Sequence, residues 1–210
     1  CSAMAMEYLG DSFDLHGGGE DLMFPHHENE IAQSESATHR PFARHWFHVR
    51  FLLVEGRKMS KSEGNFYTLR DLLLRGYKAS AIRMLLISVP YRQQLNFTYE
   101  GLAAETIAVE RLRTFRDRIE KTAWPELPAS VPKSTEIEDV ARETKARFLA
   151  ALADDLNTAE ARAAIFEMVR FVNGRADAGA FYASDKAEVL DALRQFDEVF
   201  AVLDDHDDQW

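Results

Sequence analysis

Lys58-Met59-Ser60-Lys61-Ser62, followed by Glu63-Gly64-Asn65, decides how this chain is read, because it places two ammonium groups and two hydroxyls on one short glycine-bounded loop. That is phosphate-handling chemistry. A loop of this kind lies over a triphosphate, and its cations meet the charge that builds up as pyrophosphate leaves. A bare K-x-x-K string is more often a solvated basic turn, so the weight rests on what surrounds it.

The longer neighbour is Phe13 to Glu30, F-D-L-H-G-G-G-E-D-L-M-F-P-H-H-E-N-E. Phe13 to His16 alternates as a strand does, and Gly17-Gly18-Gly19 is expected to end it with bare backbone against which a nucleotide could lie. Glu20 and Asp21 follow, carboxylates suited to ribose hydroxyls. Pro25 fits a helix start, and from there His26 and Glu30 fall on one face, one turn apart. An imidazole and a carboxylate so spaced can chelate a metal such as zinc, although such a pair is more often an ordinary hydrogen-bonded couple. His27, Glu28 and Asn29 cannot all share that face. Cys1, the only cysteine, offers the thiolate that would make a third ligand.

These segments, with C-S-A-M at the start and Y-R-Q-Q-L-N-F and D-D-L-N-T-A-E-A further on, resemble in order the cysteinyl-tRNA synthetase family of class I aminoacyl-tRNA synthetases. The resemblance covers nearly the whole chain. It implies a zinc ion, one per subunit, held by two cysteines, a histidine and a glutamate, of which Cys1, His26 and Glu30 would be three. The fourth ligand belongs to the N-terminal half of the catalytic domain, with the ATP-binding H-x-G-H motif, and no H-x-G-H occurs in these 210 residues. The expectation is therefore the C-terminal portion of a longer enzyme, inactive when isolated, with the N-terminal half as its missing partner. A lipid-modified lipoprotein start at Cys1 is the competing account of that residue, and nothing further along the chain resembles a secreted domain.

As the resemblance implies, the parent enzyme activates L-cysteine with ATP, with Mg2+ assisting, and transfers cysteine to the terminal ribose of tRNA(Cys). Zinc would select the substrate thiolate over the hydroxyl of serine without an editing domain. Lys58 and Lys61 would be the catalytic cations, Lys61 the stronger choice for direct ATP contact. Ser60 and Ser62 would shape the loop and Met59 pack beneath it. His16, Gly17, Gly18 and Gly19 would line the adenosine pocket, with Asp21 at the ribose. Two other classes stay open. A cysteine:amino-sugar ligase of mycothiol synthesis shares K-M-S-K-S and the zinc logic, but Asn29-Glu30 and the long region 136–203 count against it. A non-catalytic tRNA-binding module is the other.

Composition agrees with a soluble cytoplasmic chain: 46% hydrophobic residues, 29% charged and a single cysteine, with no apolar run long enough to span a bilayer. A monomer is the expectation for such a family. The net charge of -10 argues against nucleic acid at first sight, yet the acids concentrate toward the C-terminal half. Arg57, Lys58, Lys61, Arg70, Arg75, Lys78, Arg83 and Arg92 gather around the loop in sequence.

Beyond the loop the periodicity is helical. Leu102 to Lys121 predicts a helix with Ala104, Ala108, Leu112, Phe115 and Ile119 inward, and with Arg111, Arg113, Arg116, Arg118 and Lys121 turned to solvent; the family resemblance implies that this basic row lies near the inner limb of the tRNA. Residues 122–135 carry three prolines and read as a loop. Ile137, Val140, Thr144, Phe148 and Leu152 form the next stripe. A capping signal at Asn157 and Glu160 starts a helix that buries Ala161, Ala164, Ile165, Met168 and Val172 and stops at Asn173-Gly174. A last helix after Ser184 buries Val189, Leu193, Phe196, Phe200 and Leu203. The expected fold is α/β plus all-α, a partial Rossmann-like catalytic domain followed by a helical bundle. Its parts are residues 1–68 with strands Phe13 to His16 and Phe47 to Val54, a stem at 69–121, and a tRNA-binding DALR-type bundle at 122–210.

Overall fold

The computed structural model describes residues 1–60, 64–132, 134–204 and 207. The chain divides into two compact units, Cys1–Met59 with Tyr91–Asn96, and Ser60–Pro90 with Phe97–Trp210. The division in sequence therefore falls inside the K-M-S-K-S signature.

In the first unit, α1 (Ser2–Leu9) leads to β1 (Phe13–Gly19), and α2 (Glu28–Thr38) carries the chain over to β2 (Ala43–Val49). A helical crossover is what parallel pairing requires, and β1 and β2 pair in parallel from Phe13↔Ala43 to Gly19↔Val49. Both strands differ from the sequence expectation. β1 runs on through all three glycines because their backbone groups join the β2 ladder, and the space a side chain would need is already taken. A Cβ at Gly17 would sit 2.9 Å from the Phe47 carbonyl oxygen, and one at Gly18 would sit 2.7 Å from Leu22 Cδ1. The expected 47–54 strand begins earlier, at Ala43, and breaks after Val49. The chain resumes as β3 (Leu53–Val54), which forms a hairpin with β4 (Arg57–Lys58). Glu55 and Gly56 both take positive φ, 49° and 74°, as a tight two-residue hairpin turn demands. The Leu53 N–H donates to the Leu95 carbonyl at 2.8 Å, which brings residues 91–96 back onto this hairpin.

Pro25 does not itself open the α-helix. Met23–His27 forms a wider turn, with Phe24 extended, and α2 starts at Glu28. Phe42 is fully buried, with Phe13 against it edge-on at 4.9 Å, while Met4, Tyr8, Leu15 and Phe24 remain exposed.

The second unit is helical: α3 (Leu69–Leu74), α4 (Ala79–Leu86), then, after the short strand β5 (Asn96–Phe97), α5 (Tyr99–Lys121), α6 (Glu136–Ala153), α7 (Thr158–Asp177) and α8 (Lys186–Phe200). The core joins Leu112, Phe115, Ile119, Phe148, Ile165, Met168, Val172, Leu193, Phe196 and Phe200. Burying such faces against one another, rather than helix propensity, is what holds a bundle together. Phe148, Phe196 and Phe200 form an aromatic triangle with centroids 4.6–5.8 Å apart.

Three expectations change here. On α5 the inward row is Leu102, Glu105, Val109, Leu112, Phe115 and Ile119, and Ala104 faces solvent. Arg113 is buried rather than turned outward, because Asp207 and the backbone of Val202 and Asp204 take its guanidinium. α7 passes through Asn173-Gly174 to Asp177, since glycine costs an interior turn only about 1 kcal/mol and the Val172 face is already packed. Its N-cap is as expected, with Asn157 Oδ1 accepting from the Glu160 N–H at 3.2 Å, although the Glu160 carboxylate turns to Arg147 instead of closing the box. No described helix is long and apolar enough to cross a membrane.

Candidate metal centre and nucleotide loop

Two segments far apart in sequence, the N-terminus and the start of α2, bring donor atoms to one place. Cys1 stands at the N-cap of α1, His26 lies in the turn before α2, and Glu30 is in the first turn of α2. One donor atom from each falls within 4.8 Å of the others. Zinc bonds of about 2.0–2.3 Å set tetrahedral donors somewhat closer than this, so a small contraction around an ion would satisfy all three. The donor chemistry fits as well: a soft thiolate, an imidazole and a carboxylate. Glu30 is only 3% exposed, and a carboxylate so buried requires cationic or hydrogen-bonding compensation.

His16 supplies part of it. Its Nε2 lies 2.7 Å from Glu30 Oε2, while His26 Nε2 lies 3.8 Å from the same oxygen. The side chain that the resemblance places at the adenosine pocket thus faces the candidate metal ligands. A second donor set, His16, His27 and Glu30, also lies within 4.8 Å and shares the glutamate. Its members are already engaged: His16 is bonded to Glu30, and His27 Nδ1 lies 2.8 Å from His48 Nε2. Burial holds the His27 imidazole below its ordinary pKa, and the neighbouring His16 and His48 push the same way. A neutral His27 suits a scaffold of stacked rings.

The rings of His16, His27, Trp46 and His48 form a wall, with Trp46 and His48 stacked at 6.0 Å and His27 at 5.2 Å from Trp46. The register explains it, since His16 pairs with Trp46 and Gly18 with His48, which puts Trp46 and His48 on the face that His16 uses. Sequence reasoning passed over Trp46, His48 and the buried role of His27. The alternation Trp46-x-His48 opposite His16-x-Gly18 was the available signal. The remaining glycine-segment residue, Asp21, is exposed in the short turn Glu20–Leu22.

At the loop, Lys58 ends β4 and is exposed, with its ammonium 5.3 Å from the Phe51 ring centroid. Met59 and Ser60 are half-buried, and the Ser60 N–H donates to Asn65 Oδ1 at 2.9 Å. Lys61 and Ser62 lie outside the described residues. Of the other basic residues gathered in sequence here, Lys78 pairs with Glu110, Arg83 donates to the Phe200 carbonyl and Arg75 donates to Tyr99. A cavity of about 1120 Å³ in the second unit, bordered by Arg83, Arg116, Glu120, Arg194 and Asp197, is lined by none of the candidate metal or nucleotide residues named above.

The fold is shared with class I aminoacyl-tRNA synthetases. A leucyl-tRNA synthetase from Agrobacterium radiobacter K84, solved as a ternary complex with tRNA and LeuAMS, aligns at TM-score 0.66 and 17% identity over 90% of this chain and 26% of its own. Methionyl-tRNA synthetase of Mycobacterium tuberculosis, bound by methionyl-adenylate, aligns at TM-score 0.63 and 19% identity over 90% of this chain and 40% of its own.

The family model for the class I (C) tRNA synthetase catalytic domain matches residues 1–106, and the chain belongs to that family. A DALR domain model matches residues 147–204. Cysteine–tRNA ligase of Koribacter versatilis is 59% identical over 99% of this chain and 41% of its own length, and that of Solibacter usitatus is 52% identical over 97% and 42%. The chain therefore spans about two fifths of the length of these relatives.

Proposed function

We propose that these 210 residues carry the metal-binding and K-M-S-K-S portion of an ATP-dependent cysteine–tRNA ligase. The observation that carries the reading is the convergence of Cys1, His26 and Glu30 within 4.8 Å. A metal such as zinc, held by these three and one further ligand, would supply a soft Lewis-acid site that prefers a thiolate to a hydroxyl. His16 holds the Glu30 carboxylate by a hydrogen bond, and the rings of Trp46, His27 and His48 pack beside it. The 59% identical relative is named for cysteine and tRNA, which supports the same substrates here.

Lys58 and Lys61 are the proposed cations for the triphosphate, with Met59, Ser60 and Ser62 shaping their loop and Mg2+ accompanying ATP. Gly17, Gly18, Gly19 and Asp21 are the proposed nucleotide edge, with one side of Gly18 already covered by Leu22 and His27. The division into a catalytic part at 1–68, a stem at 69–121 and a tRNA-facing bundle at 122–210 belongs to this proposal, as do a cytoplasmic monomer and a polypeptide segment supplying H-x-G-H.

The test is cysteine-dependent ATP–pyrophosphate exchange and tRNA charging by the intact gene product. Charging of tRNA with cysteine and not serine, lost on zinc removal and restored by zinc, is the expected result. Transfer of cysteine to an amino sugar but not to tRNA, or RNA binding without exchange, would overturn it.

A further inference from the structure

The chain leaving the K-M-S-K-S signature runs into a cluster of aromatic rings and one guanidinium that none of the chemistry above employs. Asn65 receives the Ser60 N–H, and Thr68 and Asp71 cap α3 reciprocally, with the Thr68 N–H donating to Asp71 Oδ2 at 2.7 Å and the Asp71 N–H to Thr68 Oγ1 at 3.2 Å. Tyr67 sits between these two fixed points. The Arg75 guanidinium, at the end of α3, lies 4.9 Å from the Tyr67 ring centroid and 5.9 Å from that of Tyr99, and its Nη1 donates to the Tyr99 hydroxyl. Tyr67 meets Tyr99 edge-on at 5.9 Å, Tyr77 stacks on Tyr99 at 5.8 Å, and the buried Phe97 closes the far edge at 5.8 Å.

Tyr99 is the first residue of α5, and that helix is anchored independently by Leu102, Val109, Leu112, Phe115 and Ile119. Arg75 is exposed, so its contacts add little to the bundle. They reach Tyr67, in the segment that leaves the signature. Nucleotide chemistry is sensitive to such placement, since an ångström of misplacement costs on the order of a hundredfold in rate.

We infer that Arg75, Tyr67 and Tyr99 are positioning residues for the nucleotide step, tying the segment that leaves the K-M-S-K-S signature to the start of α5. The inference rests on the function proposed above. Burial and a hydrogen bond with Tyr67 push the Tyr99 phenol up to about 12.

The experiment is steady-state ATP–pyrophosphate exchange by the intact gene product and its Arg75→Ala, Tyr99→Phe and double variants, with thermal melts alongside. Expected are a fall of about tenfold in kcat/KM for ATP with Arg75→Ala, a smaller one with Tyr99→Phe, and a double variant no worse than Arg75→Ala. The KM for cysteine and the melting midpoint stay at wild-type values. Unchanged ATP kinetics, or losses shared equally by ATP and cysteine together with a lowered midpoint, would overturn the inference while leaving the wild-type activity in place. A wild-type enzyme without exchange would instead sink the functional reading beneath it.

Discussion

His16 Nε2 and Glu30 Oε2 stand 2.7 Å apart across the joint between β1 and α2, fourteen residues distant in sequence. A carboxylate held by such a hydrogen bond is oriented in advance, and loss of such a partner from a metal ligand commonly lowers metal affinity about 10–100-fold. His16→Ala in the intact gene product should weaken zinc by that factor in a chelator competition. Glu30→Ala should cost more, since it removes a donor. Equal zinc affinity in wild type and His16→Ala would refute the linkage.

Lys58 is exposed at the end of β4, so its charge does little for folding. Lys58→Ala should lower kcat for exchange by about 10²–10³, the usual range for losing a group aimed at developing charge, with an unaltered melting curve. A drop in melting temperature matching the lost rate would point to a structural role instead.

Arg113 and Asp207 form a buried ion pair at 2.7 Å, with side chains 8% and 4% exposed. Burial works to raise the Asp207 carboxyl, but hydrogen bonds from the Ser80 N–H, Arg113 and the Ser80 hydroxyl outweigh it and hold the pKa below 3.8. The folded pKa is the lower one, so this stabilisation is complete above the unfolded value and is lost as pH falls through the folded value. Acid melts should show a wild-type loss of stability below about pH 3.8 that Asp207→Ala lacks. At neutral pH Asp207→Ala should cost about 3–5 kcal/mol in denaturant titrations, because it strands the guanidinium.

Tyr99 offers the opposite sign. With its phenol raised from 10.0 to about 12, it favours the fold below the ordinary value and ceases to do so as pH climbs through the higher one. Tyrosinate absorbance should reveal a late-titrating phenol that is missing in Tyr99→Phe.

Phe196 is fully buried and meets Phe148 and Phe200 at 5.8 and 4.6 Å. Phe196→Ala should destabilise the bundle by about 3–5 kcal/mol, measured by urea unfolding. A change under 1 kcal/mol would mean that the core collapses into the gap.

What sequence made legible was whatever depends on local spacing. The stripes of α6, α7 and α8 are periodic, and the pairing of His26 with Glu30 follows from one helical turn. Cys1 joined them because a thiolate is distinctive chemistry. What stayed hidden depends on register and distant partners. Nothing local shows that Gly17 to Gly19 continue a strand, because their pairing lies on β2. His16 comes to the adenosine pocket only through the resemblance, and nothing in its local spacing shows the hydrogen bond that joins it to Glu30, fourteen residues on. Arg113 read as solvent-facing because the acid that buries it stands 94 residues away.

The arginine row of α5 is largely spoken for: Arg113 by Asp207, Arg116 by Asp204, Arg118 by Asp177. A helix that carries its own counter-anions releases few small ions when a polyanion arrives. Contact of this helix with a nucleic acid should therefore weaken only gently as salt rises, with fit of shape outweighing attraction of charge.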